Sequence, residues 1–544
     1  MTNYQFTGGT ICAPATIPGT GAISIIRVSG KESLAIADKV IDTKGVPIAE
    51  TEGYRLRYGT VFEADGSVLD NVIVSVFRAP HSYTGENSVE ISCHASRFIV
   101  NKILELLVNA GARIAAPGEF TRRAFVNGKM DLAQAEAVAD VIASQSAASH
   151  RVAMNQLKGG FSSELKVLRE KLLTMTSLLE LELDFSEEDV EFASRKELGQ
   201  LVDDSLTHIR RLTASFSRGN AIKNGIPVAI VGATNTGKST LLNALLGEER
   251  AIVSDIAGTT RDTIEETLNI DGILFRFIDT AGIRETDETI EKIGIDRTFK
   301  KLGEAAVVLG MTDLSRGEAA VLEDADFILS KVNEMGGVKN VGLVSDGAET
   351  GGASTAETGG APLAETGGVS QHGHGDGQER KVVILVNKCD VAGDFYRDDN
   401  GTGYGSGNDL GENLAEIGGN KNVNHDNSIV SLIENKYDNC KVIPISAKTG
   451  KGLSTLTKTL GEIGSEITGS TDETLVTNVR HYEALVRAAS ALERVRAGLH
   501  IATLPPDLIA QDLREALYHL GEIVGEISTD ETLGNIFRNF CIGK

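Results

Sequence analysis

Gly232, Gly237, Lys238 and Ser239 fall in the spacing Gly-x-x-x-x-Gly-Lys-Ser, directly after the apolar run "IPVAIVG". A strand that turns through such a loop into a helix aims several backbone N–H groups at one point, which suits phosphate oxygens. In that context Lys238 reaches the β- and γ-phosphates and Ser239 offers its hydroxyl to Mg²⁺, with Asn235, Thr236 and Thr240 completing the stretch. Supporting segments follow in the order a guanine-nucleotide site requires. "GTTRD" supplies Thr260 as a second Mg²⁺ ligand. Asp279-Thr280-Ala281-Gly282 supplies a carboxylate on the metal side and a Gly282 N–H for the γ-phosphate. Asn387-Lys388-Cys389-Asp390 follows the run "KVVILVN". The Asp390 carboxylate can accept from guanine N1 and its exocyclic amine; adenine lacks those donors and leaves the carboxylate unpaired. Ser446-Ala447-Lys448, after "VIPI", completes the base pocket.

One position is wrong for hydrolysis by the common route. Where many GTPases place a water-orienting glutamine after this glycine, the chain has Ile283, which neither donates nor accepts a hydrogen bond. A hydrolytic site then needs another counter-charge and another holder for the water. An arginine supplied from outside is worth ~10³–10⁵ in rate, or ~4–7 kcal/mol. A cation near the β–γ bridge can do the same electrostatic work. Asn235 has an amide oxygen inside the loop, and Ser254-Asp255-Ile256-Ala257-Gly258-Thr259 lies just before Thr260 with carbonyls and a hydroxyl to fold over such an ion. The acidic run Glu285, Asp287, Glu288 and Glu291 is the source of a water-holding carboxylate, although most of these charges read as solvated.

The elements that position these groups follow from periodicity. Residues 1–125 mix short apolar runs, such as "AISIIRV" and "NVIVSVF", with Gly and Pro turns, an α+β pattern. Over residues 126–222, Leu165, Leu168, Leu172, Met175 and Leu179 recur on one helix face. Residues 223–467 alternate strands and helices, which predicts a mostly parallel sheet covered on both faces. Residues 468–544 return to helix, with a stripe of Ile509, Leu513, Leu517, Leu520, Val524 and Ile527. The expected fold is therefore multidomain: an α+β N-terminal domain, a helical domain whose halves flank the insertion, and an inserted α/β P-loop domain. Two polar stretches, 345–380 with "AETGG" three times and 392–435 rich in Gly, Asn and Asp, read as disordered insertions.

Bulk properties narrow the class. A net charge of −23 over 544 residues argues against a protein that coats nucleic acid. The five cysteines (12, 93, 389, 440, 541) form no Cys-x-x-Cys pair, which suits a reducing compartment and speaks against structural zinc. No signal peptide and no run of eighteen apolar residues is present, so a cytoplasmic protein with no membrane partner is expected.

The wording of these segments resembles the MnmE (TrmE) family of tRNA-modification GTPases over nearly the whole chain. "GTGAISIIRVSG", "YTGENSVEISCH" and "PGEFTRRAFVNGKMDLAQAEAVADVI" carry the likeness at the N-terminal side. "DIAGTTRD", "DTAGIRETDETIEKIGIDR" and the terminal "CIGK" carry it elsewhere. The resemblance implies a Ras-like G domain and a homodimer formed through the N-terminal domain. It implies an FAD-containing MnmG-like partner in a heterotetramer, and modification of C5 of the wobble uridine of certain tRNAs. It also implies GTP, Mg²⁺, K⁺ and 5-formyltetrahydrofolate or a related tetrahydrofolate as cofactors. Carried over by motif, the K⁺ ligands are Asn235, Ser254, Ile256 and Thr259, and the Mg²⁺ ligands are Ser239 and Thr260. Glu291 is the water-orienting acid beside the catalytic Lys238, and the folate contacts are Arg27, Glu90, Lys129 and Lys544. Without the resemblance, Arg27 and Glu90 read as surface charges and Lys544 as a chain end; Cys541 is a conceivable nucleophile with no base beside it. Two departures stand out: Thr234 where the family often has Pro, and the two insertions. The competing reading is a GTP-dependent switch for RNA or ribosome assembly. It lacks support because no Gly-x-x-Gly loop sits in a basic setting.

Overall fold

A computed structural model describes residues 8–184, 195–249, 266–278, 303–334, 380–390, 429–437, 440–469, 473–500, 506–527, 530–538, 540 and 543. Its contacts divide the chain into two units: Met1–Ser144 with His150–Phe216 and Asp472–Lys544, and Gln145–Ser149 with Ser217–Thr471.

The first unit begins with a seven-stranded sheet. In chain order its elements are β1 (Ile11–Pro14), β2 (Ile23–Ser29), α1 (Ser33–Val40), β3 (Ile41–Asp42), β4 (Arg55–Phe62), β5 (Val68–Phe77), β6 (Ser88–His94), α2 (Arg97–Asn109), β7 (Arg113–Ile114) and α3 (Glu119–Val126). The strand order is β3-β4-β5-β6-β2-β1-β7. Period-two patterning explains why the sheet has one inner face: Val72, Val74 and Val76 of β5 are buried with Ile26, Val28, Ile103 and Leu107. On the other face, register places Leu56, Ser75, Glu90 and Arg27 in one row and Tyr58, Ile73, Ser92 and Ile25 in the next.

Helices continue as α4 (Leu132–Ala143), α5 (Ala147–Leu157), α6 (Gly160–Asp184), α7 (Arg195–Ala214) and α8 (Phe216–Asn224). Asp131 starts α4 with a reciprocal capping box to Gln134.

In the second unit follow β8 (Ile226–Gly232), α9 (Lys238–Glu249), β9 (Glu266–Ile270), β10 (Ile273–Ile278), β11 (Val307–Asp313), α10 (Glu318–Glu334), β12 (Lys381–Asn387), α11 (Ile429–Lys436), β13 (Cys440–Pro444) and α12 (Leu453–Thr468). The strand order is β13-β12-β11-β8-β10-β9, parallel except for the edge strand β9. Buried strands with helices on both faces need apolar residues at nearly every position, and β8 and β12 show that run. An Asp271-Gly272 turn with both residues at positive φ joins β9 to β10. That hairpin is hydrogen-bonded to the short Gln145–Ser149 segment: Asn269 Nδ2 donates to the Gln145 carbonyl at 3.0 Å, and the Ala148 N–H donates to the Gly272 carbonyl at 3.2 Å.

The chain closes the first unit with α13 (Val479–Leu499), α14 (Pro506–Val524) and α15 (Asp530–Arg538). Helices α6, α7, α13 and α14 each pack on two of the others around a shared core that includes Leu165, Leu172, Ile209, Leu492 and Leu513. Two of these helices precede the α/β segment and two follow it. The Val476 N–H donates to Ser215 Oγ at 3.1 Å, so the segment leaves and returns at one place. Of the regions read above as disordered insertions, 345–379 and 392–428 lie outside the described residues. Residues 429–435 instead belong to α11, where Ile429 and Ile433 are buried in the core, so the second stretch is shorter than expected. Its last apolar residues follow a helical spacing that the Gly, Asn and Asp content before them masks. Among the described residues, no helix is long and apolar enough to cross a membrane.

Candidate guanine-nucleotide site

The carboxyl ends of β8, β12 and β13 lead into the described candidate residues, the edge of an open parallel sheet where ligands bind. β8 delivers the chain into the loop Gly232–Ser239, and α9 starts at Lys238. Gly232 passes so close to β11 that a Cβ there would lie 2.3 Å from the Met311 carbonyl oxygen. Gly237 has φ +98°, and a Cβ would lie 2.4 Å from Asn387 Nδ2. Glycine is therefore needed for both conformation and room. Asn235 stands at φ +63°, a left-handed conformation that Asn tolerates better than most residues. Thr236 is buried and its hydroxyl donates to the Ala233 carbonyl at 2.9 Å. Lys238 Nζ donates to the Gly232 and Ala233 carbonyls at 2.9 and 2.8 Å, and burial lowers its pKa. Ser239 and Thr240 lie in the first turn of α9.

Asn387, at the end of β12, is buried and joins three loops. Its Nδ2 donates to the Thr236 carbonyl at 2.7 Å, and its Oδ1 accepts from the Ala447 N–H at 3.0 Å. The neighbouring Cys389 N–H donates to the Ile445 carbonyl at 3.2 Å. The Ser446–Lys448 loop is shaped by a backbone bond from Ser446 N–H to the Lys451 carbonyl and by Ser446 Oγ accepting from Thr449 N–H at 3.3 Å. Lys388 has φ +64°, and its Nζ lies 2.6 Å from Asp313 Oδ2. The loop Gly232–Thr240, the Asn387–Asp390 segment and the Ser446–Lys448 segment thus meet at one edge. Sequence spacing does not single out Asp313, because no motif joins it to a lysine far along the chain. Ser254, Asp255, Ile256, Ala257, Gly258, Thr259, Thr260, Asp279, Thr280, Ala281, Gly282 and Glu291 lie outside the described residues.

A second cluster sits on the outer face of the N-terminal sheet. Arg27 Nε donates to Glu90 Oε1 at 2.9 Å. The Arg27 guanidinium lies over the rings of Tyr83 (5.0 Å) and Phe120 (5.6 Å). Tyr83 donates to or accepts from Thr121 Oγ1 at 2.8 Å, and burial pushes its pKa up. Lys129 is placed separately: its Nζ donates to the Pro80 carbonyl at 3.1 Å. Lys544 and Cys541 lie outside the described residues, but Gly543 abuts β1, where a Cβ would collide with the Pro14 carbonyl. Spacing does not name Tyr83 and Phe120; the connection between β5 and β6 and helix α3 bring them to Arg27.

Residues 10–129 match the family description "GTP-binding protein TrmE N-terminus", and residues 132–541 match "MnmE helical domain". The protein named tRNA modification GTPase MnmE from Parabacteroides distasonis is 46% identical over 98% of this chain and 100% of its own length. That of Bacteroides thetaiotaomicron is 44% identical over 98% and 99%. The chain belongs to the MnmE family of tRNA modification GTPases. The donor set also fits the ligands the resemblance implies: a glycine-rich loop and lysine for phosphates, and an Arg–Glu pair beside two aromatic rings for a flat heterocycle with hydrogen-bonding edges.

Proposed function

We propose that this chain is a K⁺-stimulated GTPase. With an FAD-containing MnmG-like partner, in a heterotetramer, it adds an aminomethyl or carboxymethylaminomethyl group to C5 of the wobble uridine, position 34, of certain tRNAs in the cytoplasm. One observation carries the reading: Asn387 ties the phosphate loop to the base loop in a chain that aligns from end to end with proteins named tRNA modification GTPase MnmE.

At the site, Lys238 and the loop N–H groups hold the phosphates, and Asp390 reads the guanine edge. Ser239 and Thr260 hold Mg²⁺. Asn235, Ser254, Ile256 and Thr259 hold K⁺, which when bound supplies positive charge against the charge that builds on the β–γ bridge. Glu291 orients the water in place of the absent glutamine. Arg27, Glu90, Lys129 and Lys544 hold 5-formyltetrahydrofolate or a related tetrahydrofolate, and Tyr83 and Phe120 support the pterin side. The outer face of the N-terminal sheet supports a homodimer, because Ile23, Leu56, Tyr58 and Ile73 are exposed there.

GTP turnover measured in KCl and in NaCl at equal ionic strength tests the cation. At least tenfold faster turnover in KCl is expected, and equal rates would remove K⁺ from the mechanism. In the same assay Glu291→Ala binds GTP but turns over at least tenfold more slowly. The modification itself is read from the nucleosides of tRNA in cells lacking the protein: loss of the C5-modified wobble uridine is expected, and an unchanged profile overturns this role.

A further inference from the structure

β11 lies between β8, which carries the phosphate loop, and β12, which carries the base-reading segment, with Asp313 in register with Asn387. The Asp313 side chain is 7% exposed, and its two oxygens face different partners. Oδ1 accepts from the Ser315 N–H at 3.0 Å and the Ser315 hydroxyl at 2.6 Å, closing the turn after β11. Oδ2 accepts from Lys388 Nζ at 2.6 Å. Burial pushes the carboxyl pKa up, but the Lys388 and Ser315 hydrogen bonds outweigh it and hold the pKa below the usual value. Lys388 stands beside Asn387 in a left-handed conformation, φ +64°, so its stem leaves the base loop toward the end of β11.

We propose that Asp313 is a positioning residue for nucleotide binding: it pins the Lys388 ammonium so that the lysine stem forms a rigid wall for the guanine base. This rests on the assignment of Asn387, Lys388 and Asp390 to the base pocket. A lysine stem has four rotatable bonds, and ordering it only when the nucleotide arrives would weaken affinity. Asp313 orders it beforehand. The wall serves GTP, GDP and the transition state alike, so its loss is uniform binding loss: KM and Kd rise while kcat holds.

Asp313→Asn separates the two duties of the carboxylate. The amide keeps an oxygen for Ser315 and turns a donor against the Lys388 ammonium, which can only donate. Titrating the full-length protein with N-methylanthraniloyl-GDP, we expect Kd to rise about tenfold, with a matching rise in KM for GTP and kcat within twofold. Asp313→Glu, which restores the anion, is expected to bind within threefold of the parent. In a Lys388→Met background, Asp313→Asn is expected to change Kd less than twofold. An unchanged Kd for Asp313→Asn overturns the proposal, as does an undiminished effect in the Lys388→Met background or a loss carried in kcat. Asp390→Asn is the control on the pocket itself, since an amide matches the C2 carbonyl of xanthine. A shift of preference from GDP to xanthosine diphosphate, with Asp313→Asn binding like the parent, removes the Asp313 role alone. No shift removes the pocket assignment.

Discussion

Glu136 is a buried carboxylate of the helical frame with fixed partners. Arg480 grips it through Nε and Nη2 at 2.9 Å each, and His481 Nε2 lies 2.7 Å away. Arg480 also donates to the Glu522 and Ile523 carbonyls at the end of α14. Burial alone would raise the Glu136 pKa, yet His481 and Arg480 hold it at about 2, below its ordinary 4.5. A folded pKa below the unfolded one adds stability above the unfolded value, and that stability is lost as pH falls from about 4.5 toward about 2. Glu136→Gln should therefore lower stability at neutral pH by about 3–5 kcal/mol, the scale for removing one partner of a buried pair. The deficit should shrink as pH falls below about 4.5. Urea midpoints of both proteins across this range check it, and a gap independent of pH would mean the carboxyl is not ionised. At this scale the spacing Asn-Lys-x-Asp names Asn387 and Lys388 directly. It cannot name Asp313, whose link to Lys388 spans 75 residues.

Helix α12 shows an element whose sequence looks weaker than its structure. Gly461 and Gly464 sit inside it, and interior glycine disfavours helix by about 1 kcal/mol against Ala. Their role is close approach. A Cβ at Gly464 would lie 2.7 Å from the Phe275 ring, and one at Gly461 would lie 2.5 Å from the Asp271 carboxylate. The missing side chains let the helix lie on the β9–β10 hairpin. Gly464→Leu should overpack this contact and destabilise the α/β unit by about 1–3 kcal/mol. Thermal melting should drop, while added GDP should still raise the melting temperature, since binding stabilises by mass action whatever the starting stability. A variant as stable as the parent would show that the helix can shift to accept the side chain. Strand and helix alternation in this region is plain from periodicity, because each buried strand is a run of apolar residues. The hairpin's bonds to Gln145 and Ala148 are not, because backbone carbonyl contacts carry no residue-type signal.

At the scale of the whole molecule, the α/β segment interrupts a bundle that is complete without it. Leu165, Leu172 and Ile209 before the segment share a core with Leu485, Leu492 and Leu513 after it. The exit and entry are joined at Ser215 and Val476. Replacing residues 217–471 by a short Gly-Ser linker should leave a chain that keeps its helical circular dichroism and melts cooperatively. An unfolded product would mean the frame depends on the α/β unit. The reverse cut, removing residues after 472, should unfold the bundle, because half of its core would be gone.

Residue types at short spacing point by themselves to a guanine-nucleotide site, and no further. A glycine-rich turn between a strand and a helix aims N–H groups inward whatever surrounds it, and an aspartate after Asn-Lys-x carries its guanine preference in its own carboxylate. Tertiary structure decided the rest. That Arg480 closes on Glu136 across 344 residues depends on how the helices pack, as does the placing of Arg27 between Tyr83 and Phe120 and the reach of Lys388 to Asp313. Contacts between distant positions leave no period in the chain, so only the folded arrangement shows them.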